Sequence, residues 1–451
     1  MKKIFLIGAG LSASTLINYL LENSEEHDWQ LLVGDYSLET ASKKINGHKN
    51  AKAIQFDVFN EEQRNKEIEN SDIVISMLPA RMHHLVVESC IKYKKNMVTA
   101  SYVSSELKTM KEEVDKSGIL ILNEIGVDPG IDHMSAMRVI DSIKEKGGKI
   151  RAFRSYTGGL IAPKFDNNPW NYKFTWNPRN VVVAGQGSAA QIIVNGKYKY
   201  IPYHRLFKRV SRTEVSDYGE FEIYPNRDSL KYRKTYGLEN IPTMIRGTMR
   251  RPGFSKAWNI FVQLGATDDT YTIENSENMT YREFINSFLK YDPILSVEEK
   301  ICNVFNIPED SNIMYKFRWL GVFKNTKIEL KNATPAQILQ KILVDKWVFE
   351  EHDRDMIVMQ HKFEYELDNK YYEIISSLAF EGKDYTNTAM SSTVGLPVGI
   401  AVKMILTGKI KAKGIQVPVS KSIYKPVLEE LRNYDINFTE TEEEIPFPVI
   451  S

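Results

Sequence analysis

Residues 3–13 read KIFLIGAGLSA, and two interpretations compete for them. Lysines ahead of an apolar run, with the small residues Ser12, Ala13 and Ser14 behind it, imitate a secretory signal and its cleavage site. The apolar block, however, is only Ile4 to Ile7 before two glycines. Beyond them Leu11, Thr15, Leu16, Tyr19 and Leu20 recur at the three- and four-residue steps of an amphipathic helix, up to the acidic ENSEEHD. Strand, glycine turn and helix therefore fit better than an export signal. In this reading Gly8 permits the tight turn, Gly10 lets a pyrophosphate approach the backbone, and Ala13 lets the helix pack close on the strand. Leu11 and Ser12 open the helix, whose free N–H groups and dipole face the phosphate charge.

The stretch around the turn supports that assignment. KIFLI, QLLVG, AKAIQF, DIVISML, NMVTA and GILILN are strand-like runs separated by helical patterns, the alternation of a parallel sheet built from βαβ units. Asp35 ends the second run, 22 positions after Ala13. A carboxylate there accepts hydrogen bonds from ribose hydroxyls and repels a 2′-phosphate, so NAD is favoured as cofactor, with NADP as the alternative. Asp57 and Val58 after the third run, Pro79 after the fourth, and Ala100 and Ser101 after the fifth fall where wound sheets bind ligands. Their structural alternatives are a helix cap at Asp57 and a strand stop at Pro79.

Composition narrows the partners. A chain of 451 residues exceeds what a single core holds, so two or three domains are expected. Lysine plus arginine (59) balances aspartate plus glutamate (58), leaving no net field for nucleic acid or an anionic membrane; a small molecule is the expected partner. Cys90 and Cys302 are too far apart in sequence to suggest a zinc motif, and two cysteines in so long a chain suit a reducing cytoplasm. The consecutive His83 and His84 show no metal spacing, and no metal is expected. The apolar TAMSSTVGLPVGIAVKMIL reads as a buried helix, interrupted by Gly395 and Pro397 and so unsuited to spanning a bilayer.

From about residue 150 the pattern changes. IRAFRSYTGG, QIIVNGKYKYIPY with a hairpin signal at Asn195-Gly196, TMIRGTMR, and DMIVMQHKFEYELDNKYYEIISS read as strands. SVEEKICNVFNI and TPAQILQKILVDKWVF mark a helical insertion at about 270–345.

Residues 123–134, NEIGVDPGIDHM, resemble the saccharopine dehydrogenase family, in particular its glutamate-forming saccharopine reductases. So do DIVISMLPARMHH, NMVTASYVS, SYTGGLIAP, DNNPWNYKFTWNPRNVV, YPNRDSLKY, IRGTMRRPGF, DMIVMQHKFE and TVGLPVGIAVKMILTGKI, in the same order and over nearly the whole chain. The resemblance implies an α/β fold: a Rossmann-type doubly wound parallel sheet at 1–126, a larger α/β substrate and dimerisation domain at 127–390, and a C-terminal helical segment at 391–451 packing back on the first domain. It implies a homodimer acting in lysine metabolism. The implied reaction is reversible: saccharopine, NAD(P)+ and water give glutamate, 2-aminoadipate 6-semialdehyde and NAD(P)H.

By the same resemblance Ser101, Tyr102, Asp128, Arg227, Thr248, Met249 and Arg250 would hold the substrate, and Val127, Asp128, Pro129 and Asn177 would lie against the cofactor. Arginine suits a substrate with three carboxylates because its planar fork donates two hydrogen bonds at once. Asp128 and Lys173 are the candidate acid/base groups. The bland alternatives are an ion pair for Arg227 with Asp228, a helix cap for Asp128 and a surface cation for Lys173. Three departures stand out. The family's NADPH-using members tend to carry an arginine after the second strand, where this chain has Tyr36-Ser37; Thr157 stands where a cysteine is common; and Ser391-Ser392 replace a small residue and a lysine. A related carboxynorspermidine or lysine dehydrogenase, and a nucleotide-sensing protein without turnover, are the competing functions.

Overall fold

The computed structural model describes residues 1–184 and 186–447. Six short apolar runs form β1 (Lys2–Ile7), β2 (Trp29–Asp35), β3 (Ala51–Gln55), β4 (Ile73–Ser76), β5 (Asn96–Val98) and β6 (Leu120–Leu122). All pair in parallel, in the spatial order β6-β5-β4-β1-β2-β3. The order reverses between β1 and β4, so their carboxyl ends open the crevice in which doubly wound sheets bind ligands. Ile4 to Ile7 are completely buried, as a central strand covered on both faces requires.

The second sheet is built from β7 (Lys149–Ile161), β8 (Ala190–Val194), β9 (Lys197–Ile201), β10 (Ser211–Val215), β11 (Gly219–Pro225), β12 (Thr243–Arg250), β13 (Asp355–Leu367) and β14 (Lys370–Glu381). Among the described residues β7 and β12 are its one parallel pair of strands, and the other strand pairs are antiparallel. Asn195 and Gly196 both take left-handed backbone, the turn that suits the twist of a two-residue hairpin. Between β12 and β13 lie helices Phe254–Leu264, Tyr281–Ser287, Val297–Phe305, Asn312–Leu320 and Pro335–Val344. Three of them begin with reciprocal capping boxes, at Thr280/Glu283, Ser296/Glu299 and Thr334/Gln337, which satisfy the first N–H groups locally. Their apolar faces close on Trp170, Trp258 and Trp347, all buried.

The C-terminal segment departs from a purely helical reading. Helix Ala389–Leu406 and helix Lys421–Leu431 are joined by β15 (Gly414–Gln416), which adds to the first sheet beside β6, and followed by β16 (Thr439–Ile445), which edges the second sheet beside β14. GIQ is too short to show a period, and TETEEEI carries the charges that discourage further pairing at a sheet edge. Gly395 and Pro397 do not interrupt helix Ala389–Leu406. The glycines instead let it press on helix Ser14–Glu22: a Cβ at Gly395 would come 2.9 Å from the Leu16 backbone, and one at Gly399 2.6 Å from the Tyr19 ring. Its length and apolarity would allow a membrane crossing, but most of it is buried in this fold, where it also touches β13.

Candidate active site

The glycine turn leaves β1 beside the end of β4. Gly8 has φ of 98°, and a Cβ on it would meet the Met77 backbone at 3.1 Å; a Cβ on Gly10 would meet nothing within 4 Å. The space above Gly10 is thus open to a ligand. The chain then winds through a 3-10 turn, Leu11–Ala13, into helix Ser14–Glu22, with no side chain capping either start. An uncapped helix N-terminus over an open glycine suits a pyrophosphate.

Asp35 braces this turn. Its Oδ2 accepts the Ala9 N–H at 2.7 Å and its Oδ1 accepts the Ser37 N–H at 2.9 Å. The Lys44 ammonium donates to Ser14 Oγ; burial pushes it below the usual lysine range, against the opposing pull of Asp35. Tyr36 and Phe59 stand exposed beyond β2 and β3. Asp57 turns the chain after β3, its Oδ1 accepting the Phe59 N–H, while the Val58 side chain is buried and its carbonyl holds Arg64. Pro79 opens a 3-10 turn after β4, and Ala100 lies under Gly126, where an added Cβ would approach it to 3.0 Å. Val127 is buried in the same loop, and Pro129 sets the approach of its carbonyl to the Gly126 N–H at 2.9 Å. These groups line the carboxyl edge of the sheet, where doubly wound sheets bind ligands.

A buried polar cluster adjoins it. Arg246 on β12 uses one nitrogen, Nη2, to reach Asp128 Oδ1 at 2.7 Å and Asp132 Oδ2 at 2.6 Å. Asp132 is 1 % exposed and its other oxygen takes the Gly130 N–H; Asp128 is 18 % exposed, so it alone of the pair reaches the cleft. The Tyr102 hydroxyl stands 3.4 Å from Asp128 Oδ1, and the Thr157 hydroxyl also bonds that carboxylate. Burial raises the Asp128 carboxyl, Arg246 opposes the shift, and Asp132 reinforces it. Burial acts upward on Asp132 too, but His133, Arg246 and the Gly130 N–H outweigh it and hold that carboxyl low. Behind them Glu124 joins Val103 N–H, Tyr232 OH and His133 Nε2, and His133 Nδ1 meets Tyr236 OH. Lys231 lies over the Tyr102 and Tyr232 rings at 4.5 and 4.6 Å.

Arg246, Thr248 and Arg250 alternate along β12 and so share one face. Arg250 is buried, with Nη1 on the Met249 carbonyl and Nε without a partner among the described residues. Its guanidinium is ringed by Tyr172 at 5.0 Å, Phe254 at 5.4 Å and Tyr224 at 5.9 Å, and no carboxylate pairs with it among the described residues. The Met249 side chain is fully buried in the core, so only its backbone faces the strand's ligand side. Arg227 is exposed in left-handed backbone, and its neighbour Asp228 caps Leu230 rather than pairing with it. Ser101 receives the Glu124 N–H on its carbonyl beside this cluster. Asn177 caps helix Pro178–Val182 through the Arg179 N–H.

Lys173 needs correction as an acid/base candidate. Its Nζ donates to both oxygens of Asp353 at 2.8 and 2.7 Å, and both side chains are almost wholly buried. A cation committed to a buried carboxylate on that scale ties loop to loop, which is a structural role.

Comparison with known proteins gives the family. Residues 4–122 match the family description "Saccharopine dehydrogenase NADP binding domain" and residues 126–436 match "Saccharopine dehydrogenase C-terminal domain". The chain belongs to the saccharopine dehydrogenase family. A Saccharomyces cerevisiae relative named saccharopine dehydrogenase (NADP(+), L-glutamate-forming) is 34 % identical over 96 % of this chain and 97 % of its own. A Schizosaccharomyces pombe relative of the same name is 33 % identical over 98 % and 99 %. The mouse mitochondrial alpha-aminoadipic semialdehyde synthase is 32 % identical over 97 % of this chain but only 47 % of its own. Among solved structures, apo saccharopine dehydrogenase (L-Glu forming) from S. cerevisiae superposes with a TM-score of 0.89 at 32 % identity, covering 98 % of this chain and all of that one. The Legionella pneumophila homospermidine synthase, at 10 % identity and a TM-score of 0.57 over 98 % and 91 % of the two chains, shares the fold. Membership of the family makes the cofactor a nicotinamide dinucleotide, and the open glycine turn at Gly8–Ala13 is compatible with one.

Sequence reasoning missed Arg246, Asp132, His133, Glu124 and Lys231. For Arg246 a signal existed: it precedes Thr248 by two and Arg250 by four in a strand-like run, which places all three on one face. For the others the partners lie on different elements and no spacing announces them.

Proposed function

We propose that this protein catalyses the reversible oxidation of saccharopine, with NAD+ and water giving glutamate, 2-aminoadipate 6-semialdehyde, NADH and a proton, within lysine metabolism. The observation that carries the reading is Arg250: a buried guanidinium with an unused Nε and, among the described residues, no carboxylate opposite. Burying an unpaired charge is expensive, and a substrate carboxylate would complete the site. Arg227, exposed and unpaired among the described residues, and Lys231 supply further positive charge for a substrate with three carboxylates. Tyr102 and Thr157, both bonded to Asp128, hold that carboxylate toward the substrate's secondary amine. The amine must lose its proton before oxidation, and Asp128 is the carboxylate of the cluster open enough to take it. A bound nicotinamide supplies the hydride acceptor.

NAD(H) is favoured over NADP(H) because Asp35 ends β2 and Tyr36-Ser37 follow it, so a 2′-phosphate would approach a carboxylate without an adjacent arginine. The relatives' printed names specify NADP(+), so the ratio of kcat/KM for NAD+ and NADP+ tests the carboxylate argument directly. A homodimer in a reducing cytoplasm completes the proposal, supported by the family resemblance and by free Cys90 and Cys302; light scattering at micromolar concentration tests the dimer.

The deciding assay incubates purified protein with saccharopine and either NAD+ or NADP+ and follows nicotinamide reduction. Turnover with saccharopine is expected. No turnover with either cofactor, beside turnover with another secondary amine, would overturn the substrate assignment.

A further inference from the structure

Two carboxylates share one nitrogen of Arg246, and their surroundings are unequal. Asp132 is anchored on helix Ile131–Glu145 by the Gly130 N–H, with the His133 ring 3.8 Å away. Asp128 has hydroxyls, from Tyr102 and Thr157, where Asp132 has a backbone amide and an imidazole. The guanidinium itself is clamped under the Tyr232 ring at 4.7 Å. Nη2 carries two hydrogens and both are spent, one on each carboxylate. Asp132 thus competes with Asp128 for a single positive charge in a buried setting.

We propose that Arg246 and Asp132 are positioning residues that together set where Asp128 titrates, Arg246 drawing its proton off and Asp132 holding it on. The inference rests on the reading of Asp128 as the group that takes the substrate amine's proton. The charged and titratable groups facing the cluster come from every side: Tyr102 after β5, Glu124 after β6 on the loop that carries Asp128, His133 on the helix, Lys231, Tyr232 and Tyr236 from the segment before β12, and His361 on β13. Of these Tyr102 bonds Asp128, through a neutral hydroxyl at 3.4 Å, whereas Arg246 pairs with it as a charge, so the charge balance lies with the Arg246–Asp132 pair.

The arrangement makes opposite predictions for its two members. Asp132→Asn keeps an oxygen for the Gly130 N–H but removes the competing charge, leaving Arg246 to Asp128. The limb of the pH–rate profile that requires ionised Asp128 in saccharopine oxidation should then move to lower pH, by about one unit for an opposite charge at this range. Arg246→Met should move the same limb to higher pH by a similar amount, and Arg246→Lys, which keeps the charge, should restore it close to wild type. A purely structural role would lower activity in all three without moving the limb.

Carbon-13 titration of labelled aspartates, with Asp128→Asn assigning the resonance, reads the same ionisation without turnover. It separates the two failures: if wild type does not oxidise saccharopine the functional reading falls, while the Asp128 resonance still reports the pair. Opposite displacements in Asp132→Asn and Arg246→Met support the proposal. An Asp128 titration that is unmoved in Asp132→Asn, or displaced upward, overturns it, and this variant keeps the test decisive should Arg246→Met fail to fold.

Discussion

Replacing Arg250 by methionine separates binding from folding in a way few substitutions do. In the free protein the guanidinium is buried, its Nη1 on the Met249 carbonyl, its Nε unpartnered among the described residues and its charge set against the faces of Tyr172, Phe254 and Tyr224. Methionine fills the stem's volume and packs well against aromatic rings. The loss of cation–π attraction, about 0.5–2 kcal/mol, is balanced against relief of an uncompensated buried charge, so stability should change by no more than about 1 kcal/mol. Binding is different. A hydrogen bond to a charged group is worth about 1.5–3 kcal/mol, and with Nη1 already engaged one or two remain for a substrate carboxylate. The expected loss is about 3 kcal/mol, on the order of 100-fold in the KM for saccharopine. Steady-state kinetics, NADH fluorescence titration and a urea midpoint measure the three quantities. An unchanged KM would refute the substrate role, and a collapse of the midpoint with weakened NADH binding would show that Arg250 is part of the scaffold.

Three further outcomes are expected. Asp35→Ala should weaken NAD+ use more than NADP+ use, with a modest stability loss because the Ala9 and Ser37 N–H groups lose their acceptor; a wild-type preference for NADP+ of about tenfold or more would refute the carboxylate argument behind it. Lys173→Met should cost about 3–5 kcal/mol of stability, since it strands Asp353 buried and unpaired, while kcat per folded enzyme is retained; loss of kcat at unchanged stability would reverse that assignment. Asp355, buried at the start of helix Ala389–Leu406, is pushed up to about 6 by burial against the opposing Met390 and Ala389 N–H bonds. An acid raised on folding favours the fold fully below its unfolded value near 4, and that contribution is lost as pH climbs to about 6. Wild type should therefore lose about 2 kcal/mol relative to Asp355→Asn between pH 4 and 7, read from paired urea midpoints; parallel pH curves would contradict the burial argument.

The sequence by itself determined the first unit's character and half of the candidate site. Gly8, Gly10, Ala13 and Asp35 are legible because their signals are local: a turn needing φ of 98°, an opening with no neighbour, and an acid at the end of the next strand. The Asn195-Gly196 turn and the capping boxes at Thr280, Ser296 and Thr334 are local in the same sense. Long motifs carried the family and, through it, Asp128 and Arg250. What periodicity reports is which face a residue occupies, never what arrives opposite. Arg246 meets Asp128 and Asp132 across 118 and 114 residues, and Lys173 meets Asp353 across 180. Only the closed fold decided that one lysine is a buried strut and one unremarked arginine joins two carboxylates, because burial and charge balance belong to the space where distant strands and helices converge.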